Sequence, residues 1–204
     1  MRACASVAIG FGLAMASDAG YAQQREAGAH EHGRGTLNIA VEGSRLSMEL
    51  EAPGADIGGF EHKAKTQKQK AAVAAAKKQL AAAQALFELP AAAGCALKDA
   101  KVAFEAEDHD HGHGHGARHD PKEGTKGGGK GGAKEEHRDD EHSVFRVEYT
   151  FDCKAPASLT TIGFGYFKAF AGAEKLDVTV VTSKQQNKFE VNRARPRIDL
   201  GGMM

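Results

Sequence analysis

The sequence predicts an α+β fold in two layers: a mostly antiparallel sheet with two helices on one face, and a long disordered histidine-rich insert between two strands. Three observations lead to this prediction. Several short segments alternate apolar and polar residues, as strands do, and one long segment repeats apolar residues every three or four positions, as a helix does. A stretch without any apolar side chain larger than alanine separates two of the strand-like segments.

The first 22 residues are typical of a signal peptide. Met1-Arg2 provides a positive start, and residues 3–17 are apolar and uncharged. Small residues offer two cleavage points, after Ala16 and after Ala22, and the polar segment that follows Ala22 favours the second. A buried N-terminal helix is the alternative, which the glycines of the apolar stretch disfavour. We therefore expect a periplasmic protein that does not insert into a membrane after signal cleavage.

The mature chain is predicted to have a flexible, histidine-containing N-terminus at residues 23–34 and a single α+β domain at residues 35–204. Residues 107–142 interrupt that domain as a loop rich in histidine, aspartate and glycine. Lysine plus arginine and aspartate plus glutamate number 27 each, so the formal net charge is zero. This balance argues against a nucleic-acid-binding protein, which usually carries a basic excess.

A hairpin is the first folded element. Residues 36–51 alternate in two blocks around Gly43-Ser44, which is typical of a two-residue turn with glycine at its first central position. Such a turn pairs Glu42 with Arg45, and the same register pairs Leu37 with Leu50. The six apolar residues of the two blocks then share one face.

A long helix follows the hairpin. Thr66 and Gln69 form a capping-box signal at its start, and Pro90 ends it. Because its many alanines add little core volume, the helix must pack closely on the sheet. Its apolar face comprises Val73, Ala76, Leu80, Ala83 and Phe87.

Two predicted strands flank residues 107–142. The first begins at Cys95 and changes phase in its middle, which indicates a β-bulge, and the second alternates cleanly up to Cys153. If they pair antiparallel, the loop is the tip of their hairpin and the two cysteines lie at its far end. An even pair of cysteines in an exported chain favours a Cys95–Cys153 disulfide, with two free buried cysteines as the alternative.

In the last part of the chain, the pattern of apolar residues predicts one more helix and two strands. Ser158 caps the helix, Gly163 and Gly165 weaken it, and its apolar residues are Leu159, Ile162, Tyr166, Phe167 and Phe170. Residues 175–182 form a strand with Leu176, Val178 and Val180 on one face, and Phe189 and Val191 begin a short return strand.

The loop carries most of the imidazole of the chain. Seven of the ten histidines lie within residues 107–142, together with nine glycines, and ten acidic against six basic residues give a net charge of −4. Such a segment buries too little apolar surface to fold, and a plain spacer has no need of histidine.

Zinc, nickel and copper favour neutral imidazole, and glycine lets alternating histidines gather around one ion. A pH-responsive solvated loop is the alternative. The predicted metal ligands are His109, His111, His113, His115, His119, His137 and His142, with Asp108 and Asp110.

The other three histidines form a second, better-ordered predicted site. His30 and His32 alternate just ahead of the first strand, and His62 lies between the hairpin and the long helix. Glu31 or Glu61 would supply an oxygen ligand. Each histidine taken alone is more often an ordinary surface residue.

Several blocks resemble the ZrgA-like family of periplasmic proteins linked to zinc uptake. They are HEHGRGTLNIAVEG, GFEH, ALFELPAAAGC, YTFDC and FAGAEKLDVTVVT, together with the acidic histidine run, and they cover the chain from about His30 to Leu200. The resemblance implies zinc binding and a role beside a zinc importer, and its first two blocks direct attention to His30, His32 and His62. The chain departs from the pattern at residues 170–172, where a proline is expected within a turn.

These observations favour a periplasmic zinc-binding protein that captures Zn²⁺ through the loop and passes it toward uptake. The binding protein of a zinc importer is the expected partner. A periplasmic buffer or resistance protein for zinc, nickel or copper is the alternative, and expression raised by metal excess rather than by zinc starvation would indicate it. An enzyme is not expected, because a catalytic zinc needs three fixed ligands and a rigid cavity.

Overall fold

A computed structural model of the chain describes residues 31–106 and 142–204. Within these ranges the strands are β1 (Arg34–Glu42), β2 (Arg45–Pro53), β3 (Phe87–Glu88), β4 (Cys95–Ala106), β5 (Ser143–Cys153), β6 (Thr161–Phe164), β7 (Lys175–Thr182), β8 (Gln186–Asn192) and β9 (Arg197–Asp199). The α-helices are α1 (Gly54–Gly58), α2 (Gln67–Ala81), α3 (Ala83–Leu86) and α4 (Tyr166–Ala169).

A six-stranded sheet with the order β4-β5-β2-β1-β7-β8 forms the centre of the fold. Its neighbouring strands are antiparallel except for β1 and β7, which are parallel. Strands β3, β6 and β9 form a separate three-stranded sheet. The mostly antiparallel α+β prediction is therefore confirmed, but the second sheet was not predicted.

The first hairpin has the predicted register. Glu42 lies opposite Arg45, and Leu37 lies opposite Leu50. Gly43 has a φ of 58°, in the left-handed region that a two-residue hairpin turn requires. The apolar residues of both strands are buried on one face of the sheet, because a period of two sends alternate side chains to the same side.

The capping box at the start of α2 is also confirmed. The Thr66 side chain accepts from the Gln69 N–H, and the Gln69 side chain accepts from the Thr66 N–H. The predicted helix is too long, however, because Ala82 is non-helical, α3 ends at Leu86, and Phe87 belongs to β3. The packing of α2 on the sheet includes a buried hydrogen bond of 2.7 Å from the Tyr149 hydroxyl to the Leu80 carbonyl.

Strands β4 and β5 form the predicted antiparallel hairpin. Ala106 lies opposite Ser143 at one end, and Cys95 lies opposite Cys153 at the other. A disulfide joins the two cysteines, and the register shifts between Leu97 and Asp99, so both the disulfide and the bulge are confirmed. Of the predicted loop at residues 107–142, only His142 lies within the described ranges.

The predicted helix over residues 159–170 is wrong. Its first half forms β6, which pairs with β3 on one side and β9 on the other, and its second half contains only the single turn α4. A Cβ at Gly163 would lie 2.7 Å from Glu88 Oε2, and one at Gly165 would lie 2.5 Å from the Ala85 carbonyl oxygen. These glycines allow the close approach of neighbouring elements rather than merely weakening a helix.

The outer face of the six-stranded sheet is polar and carries ion pairs. Arg146 bridges Glu51 and Glu105, and Arg34 binds both carboxylate oxygens of Asp177 at 2.6 and 3.0 Å. The described helices include none with enough length and apolar character to cross a bilayer.

Candidate metal centre

The described residues of both predicted metal sites lie at one end of the six-stranded sheet. Strands β1, β5 and β7 begin at this end, and β2 and β4 end there. We call it the insert end, because β4 ends there at Ala106 and β5 begins there at Ser143. The disulfide lies at the opposite end of β5, about 33 Å away at 3.3 Å per strand residue.

His32 and Glu61 meet at the insert end. The distance from His32 Nε2 to Glu61 Oε1 is 2.8 Å, and the two side chains are 67% and 27% exposed. Imidazole nitrogen and carboxylate oxygen are both zinc ligands. The other candidate oxygen ligand, Glu31, points to a different partner, since its carboxylate lies 3.2 Å from Arg34 Nη1. Among the described residues, Glu61 is therefore the predicted oxygen ligand that forms an ion pair with a predicted histidine.

The backbone next to His32 is held in place on both sides of Gly33. The Gly33 N–H lies 2.9 Å from each carboxylate oxygen of the buried Asp56, and the Gly33 carbonyl accepts from the N–H groups of Glu174 and Lys175 at 2.8 Å. Gly33 has a φ of 81°, a conformation that glycine adopts without a steric penalty. These contacts fix the direction in which the chain presents His32.

Asp56 titrates outside its ordinary range because of its position. Burial raises the pKa of Asp56, and the Gly33 N–H and the charge of His32 oppose that rise without cancelling it. Folding therefore favours the protonated form of this carboxyl group more than the unfolded chain does.

Asp56→Asn is expected to raise the free energy of unfolding, and the gain should grow as the pH rises above about 4. A carboxyl group whose pKa is raised by folding contributes stability below its unfolded-state pKa and loses that stability as the pH rises through its folded-state pKa. Asparagine keeps an oxygen for the Gly33 N–H and carries no charge. Urea unfolding of both proteins between pH 4 and 8 measures the effect, and a difference independent of pH would contradict this prediction.

His62 has defined partners for both ring nitrogens. Its Nδ1 lies 2.9 Å from the Lys63 carbonyl oxygen, and its Nε2 lies 3.2 Å from the Gln69 side-chain nitrogen. The ring also packs beside Phe60, with 5.2 Å between centroids. The imidazole is thus positioned by the start of α2 rather than free on the surface.

The segment that carries Glu61 and His62 is attached to the strands that flank the insert. The Ser143 hydroxyl donates to the Phe60 carbonyl at 3.4 Å, and the Phe60 ring lies 6.1 Å from that of Phe104. Ser143 is the first residue of β5, and His142 directly precedes it. The structure therefore places the first residue after the predicted loop in contact with the segment that carries Glu61 and His62.

The described residues supply pairs of ligands rather than a complete site. Within residues 31–106 and 142–204, no group of three or more histidine, cysteine, aspartate or glutamate side chains is arranged to hold an ion. His30 lies outside the described ranges, so the set of His30, His32 and His62 stays a prediction. The same holds for the loop ligands His109, His111, His113, His115, His119, His137, Asp108 and Asp110.

Comparison with known proteins identifies the family of this chain. A family model described as "ZrgA family zinc uptake protein" matches residues 29–200. The chain belongs to the ZrgA family. No curated protein matches the chain. The matched range contains His30, His32, His62 and the whole of residues 107–142, and the family description places the chain among zinc uptake proteins.

Two residues that contact the candidate site were not singled out from the sequence as parts of it. Asp56 lies in the turn-rich segment after the first hairpin, where no periodic pattern marks it, and Gln69 was identified only as a helix cap. Asp56 contacts Gly33, which is 23 residues away in sequence, and Gln69 contacts His62, which is 7 residues away. The remaining signal for Gln69 was its position three residues after Thr66, which predicts the cap but not the histidine contact.

Proposed function

We propose that this protein captures zinc in the periplasm through residues 107–142, holds one ion at the insert end and passes it toward uptake. The observation that carries the proposal is the position of His32, Glu61 and His62 beside the strands that lead into and out of the histidine-rich segment. A ligand-rich segment anchored next to fixed ligands can deliver an ion over a short path.

The chemistry of the insert end supports zinc as the cargo. A tetrahedral zinc with bonds of about 2.0–2.2 Å places two ligand atoms roughly 3.3–3.5 Å apart. The His32 Nε2–Glu61 Oε1 pair, now at 2.8 Å, needs only a small opening to admit an ion, and the exposed His32 side chain is able to move. His30, His62 or histidines of residues 107–142 would complete the four ligands.

The proposal includes a periplasmic location and a role as a zinc carrier. The signal-like residues 1–22 support export, and the Cys95–Cys153 disulfide is typical of an oxidising compartment. We propose a carrier rather than an enzyme, with the binding protein of a zinc importer as its recipient. The family description as a zinc uptake protein favours this role over metal buffering.

A zinc titration against a chromophoric chelator tests the proposal. The mature protein, residues 23–204, is compared with a variant in which the six histidines of residues 107–141 are replaced by asparagine, so that length and charge are kept. We expect the variant to lose the weaker ions and to retain one tight ion. Loss of all binding in this variant would overturn the proposed site at the insert end.

A matched pair of substitutions tests the ordered site itself. Glu61→Gln is expected to weaken the tight ion by about tenfold or more, since even residues that only support a ligand contribute 10–100-fold to metal affinity. Glu31→Gln is the control, because its carboxylate faces Arg34 instead. Equal effects of the two substitutions would contradict the site. The metal preference of the wild-type protein separates uptake from buffering. If it binds zinc, nickel and copper with equal affinity, general metal buffering is indicated.

A further inference from the structure

The Gln69 side chain connects the start of α2 to His62. Its Oε1 accepts from the backbone N–H groups of Lys65 at 3.0 Å and Thr66 at 2.9 Å, and its Nε2 lies 3.2 Å from His62 Nε2. Two backbone donors can be satisfied only by the carbonyl end of the amide. The amide orientation is therefore determined, and the NH₂ group is the end that faces His62.

This orientation determines which nitrogen of His62 carries the hydrogen. The amide NH₂ only donates, so His62 Nε2 must be the acceptor and bear the lone pair. Nδ1 then carries the hydrogen and donates to the Lys63 carbonyl at 2.9 Å. A metal-binding histidine is commonly oriented in this way, with one nitrogen on the metal and the other donating to a carbonyl.

The same contact blocks the nitrogen that a metal would use. The lone pair of Nε2 accepts one hydrogen bond or one metal ion at a time. The Gln69 amide is also held in place, because rotating it away from His62 would remove the acceptor of the Lys65 and Thr66 N–H groups. An incoming metal must therefore displace a hydrogen bond whose donor is already in its preferred position.

We propose that Gln69 is a positioning residue that controls the access of metal to His62. It selects the tautomer whose Nε2 is able to bind metal, and it occupies that nitrogen until an ion replaces it. This inference rests on the proposed function, in which His62 is a ligand. Its consequence is a site that releases metal more readily than three unobstructed ligands would, which suits a protein that transfers its cargo.

The size of the effect follows from the value of one hydrogen bond. The net free energy of one ordinary hydrogen bond corresponds to about a two- to tenfold change in an equilibrium constant. Gln69→Ala is expected to tighten zinc binding by that factor, because the Nε2 lone pair becomes available while the Nδ1 contact with Lys63 remains.

Thr66→Ala is the matched control. It removes the hydroxyl that accepts from the Gln69 N–H, and so weakens the same capping box, but it leaves the contact between the Gln69 amide and His62. We expect this variant to bind zinc within about twofold of the wild type, a difference smaller than one hydrogen bond. Circular dichroism checks that both variants retain α2.

Two readouts on the mature protein test the inference. The ¹⁵N chemical shifts of the His62 ring, measured without metal at pH 8, should change in Gln69→Ala and remain as in the wild type in Thr66→Ala. Zinc affinity, measured by chelator competition, should increase only in Gln69→Ala. Unchanged ring shifts, or unchanged or weaker zinc binding in Gln69→Ala, would overturn the proposed control by Gln69.

The two readouts separate this inference from the proposed function. If His62→Ala leaves zinc affinity unchanged, His62 is not a ligand and the proposed site is wrong at that position. The metal-free ring shifts would still show whether Gln69 selects the tautomer. If His62→Ala weakens zinc binding and Gln69→Ala does not strengthen it, the site stands and the role assigned to Gln69 fails.

Discussion

Replacing Cys95 and Cys153 by serine is expected to lower the free energy of unfolding by about 4 kcal/mol. The two cysteines are 58 residues apart in sequence, so their bond removes a long loop from the unfolded ensemble. They are also directly opposed at one end of the β4–β5 hairpin, and Cys153 is buried. The hairpin that carries the histidine-rich segment therefore loses its main covalent restraint.

Urea unfolding of the double variant measures this loss, and wild-type protein treated with a reductant provides the matched comparison. Zinc affinity should change little under native conditions, because the disulfide lies at the end of β5 far from His32 and Glu61. A loss of less than about 1 kcal/mol would mean that the unfolded chain is already compact without the bond. A large loss of zinc affinity in the folded variant would mean that the two ends of the sheet are coupled.

Gly172→Ala is expected to lower the free energy of unfolding by about 1–3 kcal/mol through overpacking. A Cβ at this position would lie 2.7 Å from both Asp56 Cα and the Asp56 carbonyl oxygen, and 3.0 Å from the Asp56 carbonyl carbon. All three are backbone atoms of α1, so no side-chain rotation relieves the contact. Because Asp56 holds Gly33, the displacement should also disturb the presentation of His32.

Gly58→Ala is the control for this substitution. A Cβ at Gly58 would lie 3.6 Å from the nearest atoms of Phe145 and Phe60, which is ordinary van der Waals contact, and alanine favours a helix over glycine. Thermal unfolding compares the two variants, with a shift in Tm of roughly 2–4 °C for each kcal/mol in a chain of this size. Similar Tm values for both variants would contradict the close approach of Gly172 to α1.

The parts of the fold that were predictable from sequence are those fixed by local patterns. The first hairpin depends on period-two alternation and on the turn at Gly43, and the start of α2 depends on the spacing of Thr66 and Gln69. The Cys95–Cys153 bond followed once the two flanking strands were paired, because it lies at the end of their shared register.

The parts that were missed depend on contacts between distant segments. The parallel pairing of β1 with β7 joins residues about 140 positions apart, as the Arg34–Asp177 contact across it shows, and no local pattern encodes it. The apolar residues of 159–170 fit a helical spacing, but β6 gains hydrogen bonds from both β3 and β9. Likewise, the sequence identified His32 and His62 and left the oxygen ligand open between Glu31 and Glu61. Tertiary structure was needed to place Glu61 beside His32 and Gln69 beside His62.

The pairing of Ala106 with Ser143 has a consequence for how such a chain can diversify. Strands β4 and β5 pair along their whole length up to Ala106 and Ser143, and the Cys95–Cys153 disulfide joins their other ends. Loop-closure free energy grows only with the logarithm of length, so doubling or halving the intervening segment changes stability by about 0.6 kcal/mol. Insertions and deletions between the two strands can therefore accumulate at little cost to folding, and histidine content becomes a trait that natural selection, or a protein engineer, can adjust separately from the scaffold.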